Sequence, residues 1–168
     1  MPVRQPLPCL WLLSDARNDA ALEQALRRLP RGSGFVFRHY HLPAGERRAR
    51  FAQLLRLARA RSHVVLLAGS ATDGRRWGAD GSYGPAGTLA TVHDLRELAR
   101  ANRSQAAAVL LSPVFPTRSH PGAATLGPLK FHLLARRSRL PVVALGGMNR
   151  ATARRLGWPR WAAIDGLS

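Results

Sequence analysis

Thiols, lysines, acidic residues and long apolar runs are all scarce in this chain. The one cysteine, Cys9, can close no internal disulfide and supplies no thiolate cluster for zinc, which excludes the disulfide-stapled secreted scaffolds and the zinc ribbons. The longest apolar stretches, Val64 to Ala68 and Ala106 to Leu111, fall far short of the ~20 residues a membrane-spanning helix requires, so no membrane partner is expected. Residues Met1 to Trp11 hold one Arg and three Pro but no long apolar stretch before a small-residue cleavage site. A cytoplasmic location is therefore the expectation.

What the chain has in excess is arginine. Its 26 basic residues against 9 acidic ones give a net charge of +17, and of the 26 only Lys130 is a lysine. Such a balance invites a nucleic-acid reading. The arginines are dispersed, however, as at Arg27 and Arg28, Arg75 and Arg76, and Arg154 and Arg155, with no stripe and no aromatic stacking platform. High-GC coding alone produces such a skew, so no specific nucleic-acid partner is expected beyond salt-sensitive attraction to polyanions. With 168 residues, 46% of them hydrophobic, the chain has enough material for one domain spanning 1–168 and too little for two.

Short β-like runs alternate with helix-like ones, the pattern of an α/β fold with a parallel sheet. Leu10 to Leu13, Phe35 to Phe37, Val64 to Leu67, Asp80 to Tyr83, Leu89 to Val92, Ala107 to Leu111, Pro141 to Leu145 and Trp161 to Ile164 read as eight strands. Between them, Asp19 is placed to cap a helix with Leu22, Ala25, Leu26 and Leu29 on one face. A second helix from about Glu46 turns Phe51, Leu54, Leu55 and Ala58 inward and most of its arginines outward. Shorter helices are expected near Thr72 to Trp77, after Asp94 with Glu97 as its capping box and Leu95, Leu98 and Ala99 inward, from Leu126 to Arg137, and from Asn149 to Leu156.

Eight such units predict a compact (β/α)8 TIM barrel lacking the last helix, since the sequence stops at Ser168 just past the eighth strand. A smaller open sheet is the other architecture compatible with the pattern. The bare flank of the last strand then needs cover from a neighbouring helix or a partner subunit, as in a homo-oligomer. In such a barrel the site lies at the C-terminal strand ends, where Ser14, Asp15, Arg17, Arg38, Tyr40, His93, the 112–120 segment and Gly146 to Asn149 collect.

Three segments carry a family resemblance. Ser112-Pro113-Val114-Phe115-Pro116-Thr117-Arg118-Ser119-His120, followed by Leu126-Gly127, is similar to the G-P-x-F-P-T-x-[ST]-K segment of the thiamine phosphate synthase and thiazole tautomerase family. Pro141 to Met148 resembles that family's P-V-V-A-I-G-G-I strand and loop, and Gly78 to Gly81 its G-A-D-G. Trp11 to Asp15, Arg38, and Thr91 to His93 resemble further family positions in the same order. The resemblance implies a (β/α)8 barrel acting on small phosphorylated substrates. Hydroxymethylpyrimidine diphosphate loses pyrophosphate, and the thiazole phosphate nitrogen captures the pyrimidine. It further implies phosphate binding by Thr117, Arg118, Ser119, Gly146 and Gly147, catalytic roles for Arg38 and His120, and ligand contacts from Ser14, Tyr40 and His93. Independently of the resemblance, Gly146 and Gly147 ahead of Asn149 offer backbone N–H groups near a helix start, a seat for an anion or simply a tight turn. Tyr40 and Tyr83, at strand ends, are candidates for contact with a heteroaromatic ring.

The chain also departs from the family pattern. Family members use Mg²⁺, but the family's N-D-R falls here on Ala68-Gly69-Ser70, and its H-L-G-Q-x-D on Ser82-Tyr83-Gly84-Pro85. The Gln and Lys of Q-L-R-x-K become Val36 and Tyr40, and the last Lys of the loop becomes His120. No metal ligand set is encoded, and Arg38, Arg118 and His120 are the groups able to take over part of a cation's charge. Two alternatives stay open. One is a thiazole tautomerase-like enzyme, for which His39, His41, His93 and His120 are acid/base candidates without an assignable carboxylate partner; the other is a phosphate-ligand-binding barrel that has lost its reaction.

Overall fold

The alternating runs close on themselves. The computed structural model describes residues 6–118 and 121–167. Its strands are β1 (Leu10–Leu13), β2 (Gly34–Phe37), β3 (Val64–Ala68), β4 (Gly81–Gly84), β5 (Leu89–Val92), β6 (Ala108–Leu111), β7 (Val142–Ala144) and β8 (Trp161–Ala163). Each pairs in parallel with the next, and β8 returns to β1, with Trp11 opposite Ala162, to complete a closed barrel. The open-sheet alternative is thereby excluded. No helix among the described residues is long and apolar enough to cross a membrane.

Strand periodicity decides which side chains fill the barrel. Trp11, Leu13, Val36, Leu66, Ala68, Tyr83, Leu89, Ala108, Leu110, Val143, Ala162 and Ile164 form one buried cluster in the interior. Trp11 lies against Gly34, where an added Cβ would stand 2.1 Å from the indole, so glycine at that position makes room for the ring. The Trp11 indole N–H donates to the Pro8 carbonyl at 2.9 Å, which satisfies its buried polar atom.

The outward residues pack under α1 (Leu22–Arg28), α2 (Ala44–Ala60), α3 (Ala71–Trp77), α4 (Leu95–Ala101), α5 (Gly127–Ala135) and α6 (Arg150–Leu156). They form two clusters. One joins Leu12, Phe35, Phe37, Val65 and Leu67 to Leu22, Leu26, Phe51 and Leu54, and the other joins Ala90, Val92, Val109, Leu111, Val142 and Ala144 to Leu98, Phe131 and Leu156. Not all arginines of α2 are left to solvent. Arg50 pairs with Asp19 and Glu23, while Arg59 grips Asp80 at 2.8 Å.

Two expectations need correction, and one connection departs from the regular (β/α)8 alternation: among the described residues no helix follows β4, where none was read from the sequence, and none follows β8. Pro85 and Ala86 turn the chain straight back, the Gly87 N–H donates to the Gly84 carbonyl at 3.0 Å, and a Cβ on Gly87 would stand 2.7 Å from the Ser82 carbonyl oxygen. The omission is tolerable because β4 turns only Ser82 and Gly84 outward, and the Ser82 hydroxyl is engaged with Thr88, so no apolar face there needs cover. Trp158 packs against the second outer cluster beside Trp161 of β8, and Leu167 packs against the first.

The first correction is at Asp19, which caps no helix. Residues Ala16–Ala21 form a 3-10 helix whose cap is Asp15, reciprocated by Asn18. The second is at α4. Asp94 accepts from the Glu97 N–H at 2.8 Å, but the Glu97 carboxylate reaches the N–H of His93 rather than that of Asp94. Leu98 and Ala101 are the buried residues of this helix, whereas Leu95 is exposed and Ala99 half-buried.

Candidate functional site

The C-terminal strand ends surround a cavity of about 600 Å³. Asp15 and Arg17 reach it from β1, Arg38 and Tyr40 from β2, Tyr83, Gly84 and Pro85 from β4, Thr91 and His93 from β5, and Arg118 from the segment after β6. Of the expected site residues, the fold thus brings Arg38, Tyr40, His93 and Arg118 to one cavity. Ser119 and His120 lie outside the described residues.

Arg38 is held as a fork. Its Nε donates to the Ser14 carbonyl at 3.1 Å, its Nη2 to Asp15 Oδ2 at 2.7 Å, and its own backbone N–H to the Ser14 hydroxyl at 2.7 Å. Fixing the guanidinium in advance lowers the ordering cost of binding an oxyanion. Burial works against the charge on Asp15, yet hydrogen bonds from Arg17 and the charges of Arg17 and Arg38 outweigh it and hold the carboxyl below its ordinary 3.8. Arg17 also lies 3.4 Å from Asp165, so this carboxylate, too, faces a cation.

Ser14, an expected ligand contact, is not among the residues lining the cavity. Its side chain is fully buried and turns from the cavity toward Nδ1 of His39 at 2.7 Å, so it supports Arg38 from behind. Tyr40 stands 68% exposed at the rim, with the Arg47 guanidinium 5.8 Å from its ring centre. Tyr83 is buried in the wall, and burial pushes its hydroxyl up from its ordinary 10.0 despite the opposing charge of Arg38.

Gly146 and Gly147 do not line the cavity; they lie against the 113–116 segment. Their φ values are +105° and +60°, and a Cβ on Gly146 would stand 2.7 Å from Pro113 Cα, one on Gly147 2.6 Å from the Pro116 carbonyl oxygen. The Phe115 N–H donates to the Gly146 carbonyl at 3.0 Å, so the pair docks the Phe-Pro-Thr segment beside the mouth. Thr117 in that segment is half-buried and outside the cavity lining.

One pair was missed at the level of sequence. His93 Nδ1 lies 2.9 Å from Glu97 Oε2, which gives the mouth a histidine with a carboxylate partner. The signal was their i, i+4 spacing at a helix start, where such side chains meet.

Among the described residues no group of three or more His, Cys, Asp or Glu could hold a metal ion. The donor chemistry agrees. Asp15 is the single carboxylate on the cavity wall and is bonded to two arginines, and the end of β3 passes into Gly69, which has no side chain to offer. These residues do not fit a Mg²⁺ site, which calls for uncommitted hard oxygen ligands.

Residues 89–163 match the family described as thiamine monophosphate synthase. No curated protein matches the chain significantly. Among solved structures, the chain is similar to a thiamine phosphate pyrophosphorylase from Pyrococcus furiosus, with a TM-score of 0.79 and 23% identity over 96% of this chain and 87% of that one. It is also similar to the citrate synthase SbnG, in variant and unmodified forms, with TM-scores of 0.61 and 0.59 at 11% and 10% identity. Each of these two likenesses covers 95% of this chain and 87% of the other. At such identities the structural likeness establishes the barrel fold alone.

Proposed function

We propose that the chain, whose residues 89–163 match the thiamine monophosphate synthase family, is a member of that superfamily and joins hydroxymethylpyrimidine diphosphate to thiazole phosphate at the barrel mouth, giving thiamine phosphate and pyrophosphate. The observation that carries this reading is the cavity wall, where Arg17, Arg38 and Arg118 stand with Tyr40 and Tyr83. In this reaction the bond between the pyrimidine methylene carbon and the diphosphate oxygen breaks, its electron pair leaving on pyrophosphate. The thiazole nitrogen then supplies the pair for the new C–N bond. The protein's tasks are to stabilise the departing anion and to hold two rings face to face. Guanidinium forks suit the first task and tyrosine rings the second.

The test is to incubate the protein with both substrates, with and without Mg²⁺, and to quantify thiamine phosphate and pyrophosphate. Equal amounts of the two products are expected. Binding of thiazole phosphate without any product would replace the reaction by a ligand-binding role.

A second reading has its own observation. His93 on the cavity wall, with Glu97 behind it as its carboxylate partner, is equipped for general acid/base work, the requirement of a thiazole tautomerase-like reaction. Proton exchange into thiazole phosphate from deuterated water, with no condensation, would favour it.

A further inference from the structure

Resting on the reading of the mouth as a phosphate-ester site, we infer that the site binds a diphosphate anion through guanidinium groups and without a divalent cation. Among the described residues, the cavity wall leaves no uncommitted carboxylate for a cation. Asp15 is bonded to Arg17 at 3.0 Å and to Arg38 at 2.7 Å. At the end of β3, Ala68 and Gly69 offer only backbone oxygens, and the Ser70 hydroxyl that follows is bonded to Asp73 at 2.7 Å. The Ala68 carbonyl, the oxygen a hard cation would seek, already accepts from Arg47 Nη2 at 2.8 Å. The same guanidinium donates through Nε to the Arg38 carbonyl at 2.9 Å and sits 5.4 Å from the Trp77 ring centre and 5.7 Å from that of Phe37. A fixed cation therefore spans the ends of β2 and β3. After β4 the helix-free turn contributes Gly84 and Pro85 to the cavity, and neither carries a carboxylate.

Charge leads to the same conclusion. A dication entering beside Arg17, Arg38 and Arg118 would be repelled by each of them at short range, whereas a diphosphate would be attracted by all. Arginine offers the paired N–H groups that match two phosphate oxygens, so the anion's charge can be met by hydrogen bonds rather than by a metal. Arg38 is already ordered by Ser14 and Asp15, and Arg118 is exposed at the rim and reaches the anion from the opposite loop.

The experiment is a calorimetric titration of the full chain with inorganic pyrophosphate at constant ionic strength, once with EDTA and once with pyrophosphate as its Mg²⁺ complex. Pyrophosphate is expected to bind in EDTA at least as tightly as its Mg²⁺ complex does, Arg118→Gln to weaken the metal-free binding by about tenfold, and the surface variant Arg136→Gln with Arg137→Gln to change it by no more than about twofold. A requirement for Mg²⁺, binding that ignores Arg118→Gln, or absence of binding by folded protein would each overturn the inference. Turnover of the substrate pair, measured in parallel, separates the two levels. Turnover with Mg²⁺-dependent pyrophosphate binding removes this inference and leaves the reaction. Metal-free binding without turnover removes the reaction and leaves the site.

Discussion

The hydroxyl of Ser14 lies 2.7 Å from Nδ1 of His39, and the other ring nitrogen of His39 lies 2.8 Å from Asp19 Oδ1. An ionised Asp19 only accepts, so Nε2 of a neutral His39 carries the proton. Nδ1 then accepts the Ser14 O–H, and the Ser14 oxygen accepts the Arg38 N–H. Serine, histidine and carboxylate stand in the order of a nucleophilic triad, but Ser14 is sealed from the cavity. The chain of bonds serves to hold β2's end, where His39 adopts a φ of +38°, and with it the guanidinium of Arg38.

Ser14→Ala leaves the buried His39 Nδ1 and the Arg38 N–H without their partner. The expected cost is about 1–3 kcal/mol of folding stability, read as a lower midpoint in urea with an unchanged slope. A midpoint equal to wild type would remove the supporting role of Ser14.

Acidification should destabilise the fold through two buried histidines. Burial is the largest influence on both His39 and His63 and pushes each below its ordinary 6.5; bonds to Asp19 and to the Leu26 carbonyl oppose it only in part. The unfolded chain then binds protons that the native state refuses. Their stabilising contribution is complete above about pH 6.5 and is lost as pH falls from there toward the lower folded values. Thermal midpoints measured between pH 7.5 and 5 should fall, and His63→Gln should flatten the slope. A midpoint that rises on acidification would contradict the sign.

Two glycines with positive φ should respond differently to the same change. Gly146→Ala meets Pro113 and Val114 backbone within 2.8 Å, whereas Gly157, at φ +64°, has nothing within 4 Å. Gly157→Ala should cost about 1 kcal/mol from conformation alone. Gly146→Ala adds steric displacement of about 1–3 kcal/mol. Denaturation of the two variants side by side checks the order, and equal losses would mean that the Gly146 contact is not limiting.

The His93–Glu97 pair decides the second functional reading. If it moves a proton, His93→Gln should lower deuterium exchange into thiazole phosphate by about 100-fold or more, and Glu97→Gln by a smaller factor in the same direction. Exchange that survives His93→Gln would dismiss that reading.

Local pattern made much of the barrel legible. Leu10 to Leu13 and Leu89 to Val92 are strands in both sequence and structure, because short apolar runs between turn residues have few other uses. The face of α2 bearing Phe51, Leu54 and Ala58 followed from helical spacing. Legibility failed where a polar residue had a distant partner. Asp19 reads as a cap because aspartate is a good cap, yet its side chain belongs to His39 and Arg50, 20 and 31 residues away. Ser14 reads as a mouth residue because it ends a strand, yet the turn of β2 brings His39 beneath it.

The sequence by itself determined the eight-stranded α/β plan, the family likeness in the segment after β6, and the scarcity of acidic residues, since each is written in residue type and spacing. Only the tertiary structure decided that the sheet closes into a barrel, that Asp15 is spent on Arg17 and Arg38, that Arg47 covers the carbonyl at the end of β3, and that His93 has a carboxylate partner. The physical reason is that composition records which charges are present, whereas pairing depends on which strand ends the closure of the barrel brings within hydrogen-bond reach.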